Sequence, residues 1–322
     1  MTKIAVLDDY QRVALTSADW SSLVDRAEVH IFSEHIADEA ELVAALADFD
    51  VIVAMRERTP FPRSVLAALP ALKLLVTTGP ANKSIDVPAA QELGISVCGT
   101  RAPVPPNLEH TWALILACAK RIVAFDRDIR SGEWQNHVTS DLARARLGVV
   151  GLGNYGASVA TIGKAFEMDV VAWSTNLTDE RCEEVGVAHV TKDELFATSD
   201  FVAILMQLSD RSRGLVGRDD LRAMKPTAYL VNTSRGPIVD EDALVDALEQ
   251  GWIAGAGLDV FDVEPLPVDH ALRRLPNVVL TPHVGYVTER TYRVFYRDAV
   301  EDVVAHLDGT ELRPVPFRPP NR

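Results

Sequence analysis

Residues 147–163 read LGVVGLGNYGASVATIG, an apolar run followed by three spaced glycines and a helix-like stretch. The glycines Gly151, Gly153 and Gly156 form the pattern G-x-G-x-x-G. Between a strand and a helix this pattern is typical of a dinucleotide-binding turn, in which the glycines allow a tight turn, a close approach of pyrophosphate and close packing of helix on strand. We therefore predict a doubly wound α/β domain here. The alternative is a glycine-rich turn that binds nothing.

Short apolar runs alternate with helical patterns over most of the chain. The first hundred residues contain KIAVL, EVHIF, DVIVAM, LKLLVTTG and ISVCG, and a second series includes DVVAW, FVAILM, AYLVN, GAGLDV and NVVLTPH. Such alternation predicts parallel sheets covered on both faces by helices. The expected fold class is α/β, with two Rossmann-like or flavodoxin-like doubly wound domains.

A proline-rich stretch, RAPVPPNLEHTW at 101–112, separates the two series. The prolines at 103, 105 and 106 exclude helix up to that point. The following residues, 107–132, predict one long apolar helix that bridges domains or packs in a subunit interface. We place hinges near 100–106 and after 282–286. This gives a discontinuous substrate domain, 1–99 plus 289–322, and a dinucleotide-binding domain, 100–288.

Composition excludes several classes of partner. The 322-residue chain has a formal net charge of −14, with 48% apolar and 24% charged residues. So acidic a protein repels nucleic acid and anionic membrane surfaces. Three isolated cysteines indicate a reducing compartment and no structural metal. The N-terminus does not read as a secretory signal and no apolar run is long enough to span a bilayer. We therefore expect a soluble cytoplasmic protein that binds no metal.

An arginine follows a buried strand in LVNTSRGPIVDEDAL, residues 230–244. Ligands of doubly wound sheets bind at the carboxyl ends of the strands. A guanidinium in that place can hold a carboxylate in two parallel hydrogen bonds, which a lysine cannot do. Arg235 is therefore a candidate anion-binding residue. The alternative is an ordinary surface salt bridge.

A histidine lies at another strand end, in LTPHVGYVT at 280–288, and acids lie in GLDVFDVEPLP at 257–267. Histidine is well suited to proton exchange near neutral pH, and a nearby carboxylate would fix its tautomer and favour the imidazolium. Taken alone, His283 could be an ordinary loop histidine. Seven other histidines are expected to lack comparable neighbours: His30, His35, His110, His137, His189, His270 and His306.

The strand after the glycine turn bears on the choice of cofactor. In DVVAWSTNLTDE, residues 169–180, the strand ends in Ser174 and Thr175 with no acid to bind a ribose 2′-hydroxyl. No arginine stands at this strand end to hold a 2′-phosphate either. The pattern permits NADPH and weakly favours it.

Arg235, Glu264 and His283, in this order behind the glycine motif, resemble the D-2-hydroxyacid dehydrogenase family, with members such as phosphoglycerate dehydrogenase and glyoxylate or hydroxypyruvate reductase. The segments VGLGNYG, LVNTSRGPIVDEDAL, GLDVFDVEPL and NVVLTPHVG carry the resemblance across nearly the whole chain. It implies two domains around a cleft, a homodimer, and NAD(P)(H)-dependent hydride transfer between a 2-keto acid and a D-2-hydroxy acid.

The resemblance also implies roles for individual residues. Arg235 holds the substrate carboxylate, His283 exchanges the proton, and Glu264 orients and charges His283. The implied cofactor-binding residues are Gly151, Gly153, Asn154, Tyr155, Gly156, Ser174, Thr175, Thr233, Asp259 and Gly285. Asp259 is expected to meet the nicotinamide carboxamide.

The substrate side departs from the family pattern. Where the family has a glycine-rich loop whose amides bind carboxylate, residues 79–86 read GPANKSID, and Pro80 has no N–H. Ala81 and Asn82 are left to serve, and Tyr286 is a further pocket candidate. Arg56, like Arg58 in MRERTPF, either reads a second anionic group or forms an exposed ion pair with Glu57.

A nucleotide-sensing regulatory protein with little or no dehydrogenase activity is the alternative from another class. Such a protein could keep the glycine turn while losing catalytic side chains. The presence of all three candidate catalytic residues favours the enzyme.

Overall fold

A computed structural model describes residues 1–102, 107–313 and 315 of the chain. The chain divides into two compact units, which we call unit 1 (Met1–Val104 with Val287–Arg322) and unit 2 (Pro105–Tyr286). The sequence-based boundaries, 99/100 and 288/289, differ from these by a few residues. Most of the first predicted hinge, 103–106, lies outside the described residues, as does most of the proline-rich C-terminal segment.

Unit 1 begins with alternating strands and helices. They are β1 (Thr2–Val6), α1 (Ala14–Ser17), β2 (Ala27–Ile31), α2 (Glu39–Leu46), β3 (Val51–Ala54), α3 (Arg63–Ala67), β4 (Leu74–Thr77), α4 (Val87–Glu92) and β5 (Ser96–Gly99). The strands form a parallel sheet in the order β2-β1-β3-β4-β5. Strands β3 and β4 are buried along their whole length, which is why their sequences are uninterrupted apolar runs.

Unit 2 contains a seven-stranded parallel sheet. Its elements are α5 (Asn107–Ala119), α6 (Ile122–Ser131), β6 (Arg146–Val150), α7 (Asn154–Ala165), β7 (Asp169–Trp173), α8 (Asp179–Val185), β8 (Ala188–His189), α9 (Lys192–Thr198), β9 (Phe201–Ile204), α10 (Arg218–Ala223), β10 (Tyr229–Asn232), α11 (Glu241–Glu249), β11 (Gly255–Leu258) and β12 (Val278–Leu280). Their order is β12-β11-β10-β9-β6-β7-β8. The two-residue strand β8 was not predicted, because both residues are exposed and carry no apolar pattern.

Alternate residues of the unit 2 strands enter two different cores. In β6, Leu147 and Val149 pack in one apolar cluster, and Val150 packs in the other. Successive side chains of a strand point to opposite faces, so a sheet covered on both sides needs apolar residues at every position. The predicted parallel α/β fold class is confirmed in both units.

The predicted single helix over 107–132 is two helices, α5 and α6. They separate at Arg121, whose φ of +48° leaves the helical region. Helix α5 packs on β10 and β11 and is largely buried on one face. In α6, by contrast, Asp128 is the one fully buried residue, and Ile122 and Val123 are more than half exposed. The apolar periodicity of the sequence continues through the break. It therefore could not show that α5 packs on the sheet while α6 is largely exposed.

The chain returns to unit 1 in helix α12 (Glu289–Asp308). Thr288 caps its first turn by accepting a hydrogen bond from the Thr291 amide, and Gly309 ends it with φ +66°. Among residues 1–102, 107–313 and 315, no helix is both long and apolar enough to cross a membrane.

Candidate active site

Arg235, Glu264 and His283 follow three neighbouring strands of unit 2. Strands β10, β11 and β12 are adjacent and parallel. Arg235 follows β10, Glu264 follows β11 and His283 follows β12. The carboxyl ends of parallel strands lie at the same edge of a sheet, which is where such sheets bind ligands. The topology therefore carries the three loops to one edge.

The loop of Arg235 is held by the side chain at the end of β10. Asn232 accepts a hydrogen bond from the Ser234 amide and donates one to the Arg235 carbonyl, both at 3.0 Å. Ser234 Oγ donates to the Ile204 carbonyl on the next strand, at 2.8 Å. Arg235 itself is half-buried, and its Nη1 donates to the Ser234 carbonyl at 2.7 Å. Hydrogen bonds thus fix the backbone of the loop that carries this guanidinium.

Gly236 brings the backbones of two site loops into contact. A Cβ atom at this position would lie 2.1 Å from the carbonyl carbon of Phe261 and 2.6 Å from the Asp262 nitrogen. No side chain fits at that distance, so only glycine allows the loop of Arg235 to lie against the loop that leads to Glu264.

Glu264 and His283 form a hydrogen-bonded pair. Glu264 Oε2 lies 2.6 Å from His283 Nδ1, and Oε1 accepts from the Phe261 amide at 2.9 Å. Because a carboxylate only accepts, Nδ1 carries the proton of this bond and Nε2 is the nitrogen left for exchange. His283 has φ +52° in a tight turn closed by its amide on the Thr281 carbonyl. Tyr286 packs edge-on against the imidazole, with ring centroids 5.9 Å apart.

The buried carboxylate of Asp259 holds the turn after β12 through hydrogen bonds. Its carboxylate accepts from Thr281 Oγ1 at 2.6 Å and from the amides of Val284 and Gly285, both at 2.9 Å. Burial acts to raise the pKa of Asp259, but hydrogen bonds from His110, Thr281 and Val284 outweigh it and the pKa is lowered. The expectation that the seven other histidines lack comparable neighbours is wrong for His110, whose Nε2 lies 3.1 Å from Asp259 Oδ1. It is also wrong for five more, each with a ring nitrogen within 3.2 Å of a carboxylate oxygen: His30, His35, His137, His189 and His270. A contact of Asp259 with the cofactor stays a prediction.

The glycine turn has the shape that a pyrophosphate requires. Gly151 has φ +106°, and a Cβ at Gly156 would lie 2.0 Å from the Gly151 carbonyl oxygen. At Gly153, by contrast, no described atom lies within 4 Å of a Cβ, so the backbone there faces open space. Helix α7 begins at Asn154, and the first-turn amides of Asn154 and Tyr155 have no partner within the helix. These residues fit a dinucleotide phosphate.

Comparison with known proteins agrees with this geometry. Residues 112–285, more than half of the chain, match the family model described as D-isomer specific 2-hydroxyacid dehydrogenase, NAD binding domain. The chain belongs to the D-isomer specific 2-hydroxyacid dehydrogenase family.

Relatives of known name lie in the same family. A glyoxylate reductase of Aeropyrum pernix is 40% identical over 76% of both chains, and one of Korarchaeum cryptofilum is 34% identical over 92% of this chain and 95% of its own. A solved phosphoglycerate oxidoreductase of Vibrio cholerae has a TM-score of 0.90, with 34% identity over 96% of this chain and all of its own. This chain is thus an NAD(P)-dependent 2-hydroxyacid dehydrogenase. The regulatory alternative finds no support.

The dehydrogenase has an arginine beside the glycine turn, in a contact that the sequence did not indicate. Ser174 and Thr175 follow the strand as predicted. Arg181, in α8, reaches back so that its Nε donates to the carbonyl of Leu152 in the glycine turn, at 3.2 Å. Its Nη1 donates to Glu184 at 2.9 Å. The Arg181 guanidinium thus lies beside the glycine turn, whereas residues 174–176 at the end of β7 include no arginine.

Three hydroxyl groups connect the dehydrogenase's cofactor segments to α5. Thr111 Oγ1 lies 2.6 Å from Thr233 Oγ1 and 2.5 Å from the Tyr155 hydroxyl. The Tyr155 hydroxyl also donates to the Asn107 carbonyl at 2.5 Å, and burial raises its pKa. Thr233 is buried. The hydroxyl cluster therefore holds the side chains of Tyr155 and Thr233, two residues that are predicted to bind the cofactor.

Three of the predicted substrate residues of the dehydrogenase, Arg56, Ala81 and Asn82, lie in unit 1, whereas Arg235 and Tyr286 lie in unit 2. Asn82 is buried, and its side chain donates to the Arg56 carbonyl at 2.5 Å. Arg56 has φ +52°, and its guanidinium lies over Gly79, where a Cβ would come within 1.8 Å of Nη1. Ala81 is exposed on the same loop. The structure thus joins Asn82 to Arg56, and the amides of Ala81 and Asn82 stay predicted ligands of the substrate.

The two candidate arginines of unit 1 have different neighbours. Arg56 Nη2 lies 3.4 Å from Glu57 Oε1, the ion pair weighed as an alternative. Arg58 donates to the Asp8 carbonyl at 2.7 Å and lies 4.5 Å above the ring of Tyr10. In the described part of the chain, no group of three or more His, Cys, Asp or Glu residues is placed to hold a metal ion.

Proposed function

We propose that this dehydrogenase works mainly as a 2-keto acid reductase in which Arg235, His283 and Glu264 are the catalytic residues. The observation that carries the proposal is the 2.6 Å contact between Glu264 and His283, on loops that adjoin the loop of Arg235 at one edge of the sheet.

The chemistry follows from these three side chains. A reduced nicotinamide dinucleotide held at the glycine turn of Gly151, Gly153 and Gly156 would supply the hydride that C2 of the keto acid accepts. The Arg235 guanidinium binds the carboxylate through two parallel hydrogen bonds and stabilises negative charge that develops on the keto oxygen. His283 Nε2 delivers the proton to that oxygen, because Glu264 fixes the proton on Nδ1 and stabilises the imidazolium. In the oxidative direction Nε2 accepts the proton again.

Arg235→Ala tests this assignment. Loss of one preorganised donor for developing charge lowers kcat by about 10²- to 10³-fold, and loss of carboxylate binding raises KM as well. Arg235→Lys keeps the charge without the planar fork and should recover only part of kcat/KM. Cofactor affinity and Tm serve as controls and should stay close to the wild-type values. Near-normal turnover of the alanine variant would refute the role.

We propose that the substrate is a small 2-keto acid. The amides of Ala81 and Asn82 and the ring of Tyr286 are proposed as its further contacts. Oxidation of NADH and NADPH should be followed against glyoxylate, hydroxypyruvate, pyruvate, phenylpyruvate and a phosphorylated or dicarboxylic keto acid. Activity confined to the doubly anionic compounds, and lost in Arg56→Gln, supports Arg56 as the reader of a second charge. Indifference to that charge removes this role.

We propose NADPH as the preferred cofactor. The end of β7 offers the hydroxyl groups of Ser174 and Thr175 and no carboxylate that would repel a 2′-phosphate. Arg181, tied to the Leu152 carbonyl beside the glycine turn, supports this preference because a guanidinium suits a phosphate. The ion pair between Arg181 and Glu184 opposes this preference, because it places a carboxylate beside the guanidinium.

Binding measurements without substrate decide between the two cofactors. Arg181→Gln should weaken NADPH binding about tenfold, the loss of roughly one charge-assisted hydrogen bond, and leave NADH binding nearly unchanged. Quenching of tryptophan fluorescence gives both dissociation constants. Tighter binding of NADH than NADPH by the wild-type protein would overturn the preference.

We also propose that the enzyme is a homodimer. The segment from α6 to the following loop exposes a set of apolar side chains, each more than half accessible in the single chain: Ile122, Val123, Ile129, Trp134 and Val138. A soluble protein rarely leaves such a patch uncovered, and the family resemblance identifies a second copy as the partner. Trp134→Asp combined with Val138→Asp should shift sedimentation to the monomer. The equally exposed Val268→Asp is the matched control and should leave the dimer intact.

Two further assignments complete the proposal. We assign dinucleotide binding to unit 2, which contains the glycine turn, and substrate recognition mainly to unit 1. A cytoplasmic location is supported by the three cysteines, Cys98, Cys118 and Cys182, which are all unpaired thiols. Cell fractionation with antibody detection tests the location.

A further inference from the structure

Helix α5 places a histidine against the most buried carboxylate of the site. His110 Nε2 lies 2.9 Å from Thr281 Oγ1 and 3.1 Å from Asp259 Oδ1. Asp259 is 2% exposed. A buried carboxylate is costly unless it is paired and hydrogen-bonded. Among the described residues, His110 is the basic residue that lies within ion-pair distance of Asp259.

Asp259 in turn restrains the backbone around the catalytic histidine. The two amides that directly follow His283 both donate to it, Val284 to Oδ1 and Gly285 to Oδ2. His283 has φ +52°, a conformation that a non-glycine residue keeps only when its surroundings hold it there. The Asp259 carboxylate is therefore the internal anchor of this turn.

The same stretch of α5 contacts the other segments of the site in unit 2. Thr111 meets Thr233 two residues before Arg235, and the Asn107 carbonyl accepts from Tyr155 in the glycine-turn helix. A Cβ at Gly285 would lie 3.4 Å from the Asn107 side chain. The first turns of α5 thus support the glycine turn, the arginine loop and the histidine turn together.

From these contacts we propose that His110 is a positioning residue of the dehydrogenase, acting through Asp259 on the turn that carries His283. This inference rests on the proposed function for its effect on turnover. Its structural part, the restraint on the turn, does not need catalysis. Without the Nε2 donor, Oδ1 keeps Thr281 and Val284 but loses its contact with His110, and the turn loosens. The imidazole of His283 is then less often aligned with the substrate oxygen.

Three variants of His110 separate the contact from simple packing. In His110→Gln the amide nitrogen extends to about the position of the imidazole Nε2 and can donate to Asp259. His110→Asn carries the same group on a shorter side chain that does not reach, and His110→Leu has no donor. We expect Asn and Leu to lower kcat about 10- to 100-fold, the cost typical of a small misplacement of a catalytic group, with a smaller change in KM. Gln should restore most of kcat.

Hydrogen exchange gives a readout that needs no substrate. The amides of Val284 and Gly285 should exchange faster in the Asn and Leu variants and at the wild-type rate in the Gln variant, as measured by mass spectrometry of peptides covering 281–286. Rates per active site are normalised to the number of cofactor-binding sites, so that partial misfolding does not imitate a loss of kcat.

The outcomes are distinct. Faster exchange with lower kcat in Asn and Leu, reversed in Gln, supports the proposal. Unchanged exchange in Asn and Leu overturns it, and so does an equal loss in all three variants that follows Tm. A wild-type enzyme that reduces no keto acid would refute the proposed function, while faster exchange in Asn and Leu would still support the restraint on the turn.

Discussion

Glu264 divides its two oxygens between its own loop and the catalytic histidine. Oε1 accepts from the Phe261 amide and Oε2 contacts His283 Nδ1. This division fixes the position of the carboxylate. A change that keeps the first contact and removes the charge from the second therefore isolates the electrostatic contribution.

Glu264→Gln is that change. Its side-chain carbonyl can still accept from Phe261, but it places no negative charge beside His283. We expect kcat to fall by about 10²-fold, as for loss of assisted proton transfer, with less effect on KM. Steady-state kinetics at saturating cofactor measure both constants, and Tm should be retained. An unchanged kcat would show that His283 exchanges its proton without this carboxylate.

Gly236→Ala tests the close contact between two loops. The new Cβ would meet the Phe261 carbonyl group, so one loop must move. We expect a loss of about 1–3 kcal/mol of stability, the usual cost of overpacking, and weaker binding of the keto acid by Arg235. Gly217→Ala is the matched control, because a Cβ there meets no described atom within 4 Å. Equal urea midpoints for the two variants would contradict the contact.

At the scale of elements, two glycines in the turn from β6 into α7 are required for different reasons. Gly156 is needed for packing, since a Cβ would lie 2.0 Å from the Gly151 carbonyl oxygen. Gly153 is open to solvent in the protein alone. The first requirement concerns folding and the second concerns the ligand.

Gly153→Ala should therefore keep Tm and weaken cofactor binding, because the methyl group occupies space proposed for the pyrophosphate. Gly156→Ala should lower both Tm and affinity, because α7 must move away from β6. Calorimetric titration with NADPH, together with thermal unfolding, distinguishes these patterns. Normal cofactor affinity in Gly153→Ala would place the phosphates elsewhere.

For the whole molecule, the closure of unit 1 depends on an ion pair between distant segments, in which the Arg101 side chain is exposed and Asp298 is buried. Arg101, just after β5, donates its amide, Nε and Nη2 to the fully buried Asp298 of α12. Burial acts to raise the pKa of Asp298, but hydrogen bonds from Arg101 and Arg297 hold it at about 2, against an ordinary 3.8.

Because the folded pKa of Asp298 is the lower one, its charge stabilises the fold above the unfolded pKa, and this stabilisation is lost as pH falls from about 4 towards 2. It is on the order of 2 kcal/mol at neutral pH. In urea unfolding, Asp298→Asn should lose stability at neutral pH, and its difference from wild type should shrink by about half near pH 3. Asp308→Asn, an exposed residue of the same helix, is the control and should change little. A difference independent of pH would contradict the assignment.

Much of this organisation could be predicted from local sequence. Uninterrupted apolar runs such as LGVV and AYLVN indicate strands buried on both faces, and parallel strands send their carboxyl ends to one edge. The loops of Arg235, Glu264 and His283 could therefore be expected on the same side of one sheet. The break at Arg121 could not, because the apolar period runs through it and only the sheet decides where the helix is covered.

The sequence by itself determined the α/β class, the glycine turn and the residue types that bind and transfer groups, since each depends on a local pattern of side-chain period, backbone freedom or chemistry. Only the tertiary structure decided which polar groups meet. His110 and Thr281 are 171 residues apart in the chain, and Arg101 and Asp298 are 197 apart. Such partners are brought together by the packing of helices on the sheets. Contacts between residues so far apart in the chain leave no local pattern in the sequence from which they could be predicted.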